Sequence, residues 1–188
     1  MRNPNEIRTY HGIDMDPFAA KEQQINIKDI AHALSLLCRA NGHISRFYSV
    51  AQHCLNCEKE AEARGYSKRV RMFCLLHDAT ECYISDVTRP VKRRFPLYYE
   101  AEENLAQVIY KSLVGFLPDE LEKKLVGEVD DCLLYYEFLS LCGVSFFDNE
   151  PKLCGDLKFD FEDFDLVKQR FINRYNSLLS ELEAENHG

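Results

Sequence analysis

Val70-Arg71-Met72-Phe73-Cys74-Leu75-Leu76-His77-Asp78-Ala79-Thr80-Glu81 places Val70, Phe73, Cys74, His77 and Glu81 at i, i+3, i+4, i+7 and i+11, one face of an α-helix. Upstream, Val50, His53, Cys54, Cys57 and Ala61 repeat the same offsets. Helical periodicity dominates the rest of the chain, and two-residue alternation is limited to short pieces near Ile25-Asn26-Ile27 and Leu157-Lys158-Phe159-Asp160-Phe161. The expected fold is all-α.

Local signals place the helices. Asp29 reads as the N-cap of a first helix that turns Ile30, Ala33, Leu34, Leu37 and Cys38 inward and stops at Asn41-Gly42. Ser49 and Gln52 form a capping box that opens a second. A third is expected over about 67–82, a fourth over about 97–113, a fifth from Pro118-Asp119 to about 141 and a last over about 163–183. Gly, Asp and Pro predict an irregular connection over about 143–162, and the charged stretch from Glu181 onward predicts a frayed end. One domain is expected over residues 1–188, with its core at about 28–142.

At 188 residues and 46% hydrophobic, the chain can bury a substantial core. A net charge of -8 repels polyanions, which argues against a nucleic-acid polymer or an anionic membrane as the main partner. A local basic cluster remains at Arg89, Lys92, Arg93 and Arg94. Eight cysteines follow a start, Met1-Arg2-Asn3-Pro4-Asn5-Glu6, without a secretory apolar run, so a reducing cytoplasm is expected. Cys54 and Cys57 lack a matching second pair and read as buried helix thiols.

An imidazole and a carboxylate side by side in an apolar run, His77-Asp78, need a partner, and a divalent metal ion compensates both at once. His53 brings a second imidazole from the other stripe. Asp130 and Asp131 offer a fourth donor. With Leu121, Leu125, Val129, Cys132, Tyr136 and Leu139 marking the buried face of that helix, Asp130 lies on the flank shared by Val126, Leu133 and Glu137, and Asp131 lies nearer the back. Asp130 is the expected ligand. Two imidazoles and two carboxylates suit one Mn, Co, Fe, Ni or Zn ion better than Mg. Such a site leaves positions open for water and a phosphoryl oxygen, which is the chemistry of phosphate ester hydrolysis.

The match extends past the ligands. Asp29-Ile30-Ala31-His32-Ala33-Leu34-Ser35, Cys38-Arg39, Gly42-His43, Phe47-Tyr48-Ser49-Val50-Ala51-Gln52-His53, His77-Asp78-Ala79-Thr80-Glu81 and Asp86-Val87-Thr88-Arg89-Pro90-Val91-Lys92 resemble the HD-domain metal-dependent phosphohydrolases. Among these the chain is similar to small bacterial and phage HD hydrolases and, through them, to the YfbR-like 5′-deoxynucleotidases. The resemblance implies an HD-domain helical bundle with His53, His77, Asp78 and Asp130 on the metal, and Glu81 beside Asp78 in catalysis. It further implies Arg39 in the nucleotide pocket and Asp86 on the sugar. Arg46, with His43, is expected at the pocket mouth, and Lys92 near the substrate phosphate. Ala40 departs from the pattern, standing where the family places an aromatic. The implied activity is removal of phosphate from deoxyribonucleoside monophosphates. A dNTP triphosphohydrolase with the same site and a non-catalytic nucleotide-binding module are the alternatives. The expected partner is a small nucleotide, and the chain is expected to be a homo-oligomer, a dimer or higher.

Overall fold

The computed structural model describes residues 3–145 and 147–186; residues 187–188 of the expected frayed end lie outside these. The described chain is mostly helical, an all-α bundle with one small sheet. Strands β1 (Ile7–Arg8) and β2 (Asp14–Met15) pair antiparallel, Ile7 opposite Met15. The helices are α1 (Ile27–Leu36), α2 (Val50–Ala63), α3 (Lys68–Leu76), α4 (Glu81–Ile84), α5 (Arg89–Lys92), α6 (Pro96–Val114), α7 (Glu120–Cys142) and α8 (Phe164–Asn186).

Helix α2 opens on the reciprocal Ser49 and Gln52 capping box and packs against α1, α3, α7 and α8. Its central place leaves little water around it, so its stripe Val50, His53, Cys54, Cys57 and Ala61 is buried. One core, including Ile30, Leu34, Leu75, Leu76, Ile109, Phe171 and Leu178, unites α1, α3, α6 and α8. A second joins α2, α3 and α7 through Cys57, Ala61, Val70, Cys74, Val129 and Leu133. The polar cluster described below lies at that three-helix junction.

The structure corrects several local expectations. Asn26, not Asp29, caps α1, its side chain accepting from the Lys28 N–H. Asp29 is buried and instead accepts from the backbone N–H of His11 at 2.8 Å. Helix α1 ends at Leu36, and Asn41-Gly42 belong to a 3₁₀ turn, Arg39–Gly42, in which Ala40 and Asn41 take φ of 53° and 52°. The helix expected over about 67–82 is interrupted after Leu76. His77 Nδ1 meets the Cys74 carbonyl at 2.8 Å, the acceptor that the Asp78 N–H would use in a continued α-helix. The chain then tightens, Ala79 N–H bonding Leu76 O and Glu81 N–H bonding Asp78 O, before α4 begins.

Neither alternating piece forms a strand. Ile25 follows a 3₁₀ turn, and the stretch at Leu157–Phe161 is an extended segment laid along α2, with Leu157 and Phe159 half-buried and Phe161 exposed. Side chains substitute for a neighbouring strand there: Gln52 donates to Asp160 O at 2.9 Å and Asn56 to Lys158 O at 3.0 Å. The buried face of α7 is rotated from the expected one. Leu121 and Leu139 are exposed, while Glu122 and Glu137 are buried, because Arg69 neutralises the first and His53 and Arg39 meet the second. The expected fraying from Glu181 does not begin there: α8 continues to Asn186, held by buried Leu182 and by Lys68 at 2.9 Å from Glu185. No helix among the described residues is long and apolar enough to cross a membrane.

Candidate metal centre

Three helices each bring a piece of one cluster. His53 comes from the first turn of α2, His77 and Asp78 from the break after α3, and Asp130 from the middle of α7. His53 Nε2 lies 3.1 Å from His77 Nε2, 3.5 Å from Asp78 Oδ2 and 3.2 Å from Asp130 Oδ1. His77 Nε2 is 3.4 and 3.8 Å from the same two carboxylate oxygens. Donors bound at roughly 2.0–2.2 Å to one ion stand about 3–4 Å apart, so these separations suit a shared ion. The structure also has thiol-bearing groups able to hold a metal ion, His53 with Cys57 and His77, and Cys54 with His77 and Asp78.

The outer ring nitrogens have partners that aim the inner ones at the cluster. His53 Nδ1 is 2.7 Å from Glu137 Oε1 and His77 Nδ1 is 2.8 Å from Cys74 O. Asp131 stands outside, more than half exposed, and shares the Arg89 guanidinium with Asp130 at 2.6 and 2.5 Å. The two acids are adjacent in sequence but about 100° apart on the helix, which is why only one enters the cluster.

Charge in the cluster is strongly mutual. Burial alone would depress the His77 pKa, but the Asp78 charge and the Asp130 contact outweigh it and hold the imidazole well above its usual range. His53 is raised as well, burial and the Arg39 charge being overcome by Glu137 and Asp130. Burial would lift Asp130, yet its contacts with His53 and His77 pull it well below the ordinary carboxylate value. The cluster thus demands positive charge. Glu81 behaves oppositely: burial, then the charges of Asp78 and Asp86, push its carboxyl well up. Its Oε2 is buried without a hydrogen-bond partner, and Lys92 Nζ lies 3.7 Å from Oε1.

Arg39 reaches the cluster from the strained turn and is tied inward, to Asp78 Oδ2 at 3.1 Å and Glu137 Oε2 at 3.4 Å. Asp86 accepts from the Ala40 N–H at 3.0 Å and so anchors that turn. Lys92, 3.7 Å from Glu81, also pairs with Glu102 at 2.6 Å. Arg46 is not brought to the cluster; it pairs with Asp160 at 3.1 Å on the surface. Glu137 is the residue sequence reasoning missed. It lies two helical turns beyond Asp130, and that seven-residue spacing on one helix face was the available signal. The surface cavity beside Asp131, about 560 Å³ and lined also by Arg64, Tyr66, Phe147 and Lys152, holds none of the four donors. The four donors meet instead at the three-helix junction.

No protein-family profile matches the chain. It is 39% identical over 103 residues to the uncharacterized protein YfdR of Escherichia coli strain K12, a match spanning 55% of this chain and 55% of that protein. It is also 30% identical over 192 residues to the uncharacterized protein RCAP_rcc00048 of Rhodobacter capsulatus, covering 94% of this chain and 97% of that protein.

Proposed function

The chain belongs to one family with the Rhodobacter capsulatus protein, and from the site it carries we propose that it is an HD-type, metal-dependent phosphohydrolase releasing phosphate from deoxyribonucleoside monophosphates. The observation that carries the reading is the convergence of His53, His77, Asp78 and Asp130, with separations of 3.1 to 3.8 Å, beside a buried Glu81. These four residues would hold the ion, a divalent one of the Mn, Co, Fe, Ni or Zn type. When bound, that ion supplies Lewis acidity to the phosphoryl group and lowers the pKa of an attacking water.

The protein's own groups do the rest. Glu81 holds its proton because burial and two neighbouring acids raise its pKa, and it hands that proton to the departing nucleoside oxygen. Arg39 keeps Asp78 and Glu137 in place through two guanidinium contacts, and Asp86 holds the turn that carries Arg39. Lys92 offers positive charge beside Glu81, where a phosphate would approach.

The test is a screen of nucleoside mono-, di- and triphosphates with Mn, Co, Mg and Zn, reading phosphate and polyphosphate separately. Phosphate released from deoxyribonucleoside monophosphates, with activity and bound metal lost together in His77→Ala and Asp78→Ala, is the expected result. Tripolyphosphate as product would move the assignment to a dNTP triphosphohydrolase. Absence of turnover with every ion would overturn the enzymatic reading and leave a nucleotide-binding module.

A further inference from the structure

Two thiols stand against the histidine pair, and the hydrolytic reading gives neither a role. Cys57 Sγ lies 3.5 Å from His53 Nε2, nearer to it than to Nδ1 at 3.9 Å, and so faces the inner end of the ring. A sulfur and an imidazole nitrogen sharing a tetrahedral zinc-group ion stand about 3.6 Å apart. Cys57 also falls within 4.8 Å of His77, and Cys54 within 4.8 Å of His77 and Asp78. Both cysteines are buried, so water does not compete for the sulfurs.

We propose that this junction holds a second, thiophilic metal site, His53, His77 and Cys57 completed by Cys54 or Asp78, which takes soft closed-shell ions such as cadmium or copper(I). The inference rests on the metal-site reading above, because both sets use the same two imidazoles. Occupancy is therefore exclusive. Coordination replaces the S–H bond of each ligating cysteine with a bond to the ion and releases the proton to solvent. The resulting four-coordinate site is closed, with no position for water, whereas a catalytic site keeps one open. A thiophilic ion bound in this way silences hydrolysis and blocks loading with manganese.

The probe is cadmium, added to the full chain carrying Cys142→Ser and Cys154→Ser so that the two exposed thiols add nothing to the signal. Ultraviolet absorption from sulfur-to-cadmium charge transfer should rise to a plateau at one ion per chain. Manganese binding measured by calorimetry should then be abolished. Cys57→Ser should weaken cadmium at least tenfold and reduce the band, and Cys54→Ser serves as the second variant. Because the band is read first with Cys54 and Cys57 intact, the test does not depend on either of these variants folding. Manganese binding without any cadmium–thiolate band overturns this inference and leaves the oxygen-ligand reading standing. If neither ion binds, both readings fall.

Discussion

At Glu81 a single atom separates a catalytic role from a structural one. Its Oε2 is buried with no hydrogen-bond partner, an arrangement that costs stability unless an incoming group completes it. Glu81→Gln keeps the shape and removes the titrating proton, so turnover should fall roughly 10²-fold or more while bound metal is retained. Unchanged turnover would make Glu81 a bystander. The adjacent acids of α7 give a sharper contrast, since Asp130 touches both histidines and Asp131 pairs with Arg89 outside the cluster. Asp130→Asn should abolish manganese binding in calorimetry, and Asp131→Asn should change it by less than about tenfold; the reverse result would reassign the ligand. The raised imidazoles fix the sign of the pH dependence. In the metal-free protein His53 and His77 keep their protons to a higher pH than an ordinary imidazole, and those protons compete with the ion. Manganese affinity should therefore climb as pH rises from about 6 to about 8, and an affinity flat across that window would contradict the competition.

Among the elements, the break between α3 and α4 and the rotation of α7 are two features that the sequence concealed. The i, i+3, i+4, i+7 stripe runs through His77 as though the helix continued. The interruption depends on a side chain taking a main-chain acceptor, and periodicity carries no signal for that. For α7, Leu121 and Leu139 drew the apolar face toward themselves, whereas burial of Glu122 and Glu137 depends on cations from α3 and from the Arg39–Gly42 turn. By contrast, the inward stripe of α2, the Ser49 box and the Asp119 start of α7 were legible, because each is decided by residues within a turn of one another. Asp130 rather than Asp131 was legible from its shared flank with Leu133 and Glu137. Two predictions belong at this scale. Glu137→Gln removes the charged partner of His53 Nδ1 and should weaken manganese binding by about 10- to 100-fold, the usual cost of losing such an outer partner. In the Arg39–Gly42 turn Ala40 sits at φ 53°, so Ala40→Gly relieves more backbone strain than it adds chain entropy. It should stabilise the protein by about 0.5 kcal/mol in urea unfolding. A loss of stability would show that the turn is held against glycine by something other than φ.

For the molecule as a whole, a bound ion would join α2, the end of α3 and α7, three elements otherwise held together at that end by ion pairs and the small core of Val129 and Leu133. Binding restricted to the folded state raises stability by about 2.7 kcal/mol at a hundredfold excess over Kd. Manganese should therefore raise the melting temperature of the wild type in scanning calorimetry and leave that of His53→Ala unmoved; an equal rise in both would place the ion elsewhere. The all-α architecture was legible from periodicity alone, but the partnership of first and last helices was not, since nothing local couples α1 to α8. Phe171 and Leu178 of α8 fill the core against Ile30 and Leu34 of α1, so α1, covered on its other side by α2 and α4, keeps one apolar face open until α8 follows it from the ribosome. During synthesis the nascent chain must keep that apolar surface from other molecules. A ribosome stalled before Phe164 would carry a client for chaperones, with the three metal-site helices and their own small core already translated but the face that α8 covers still bare.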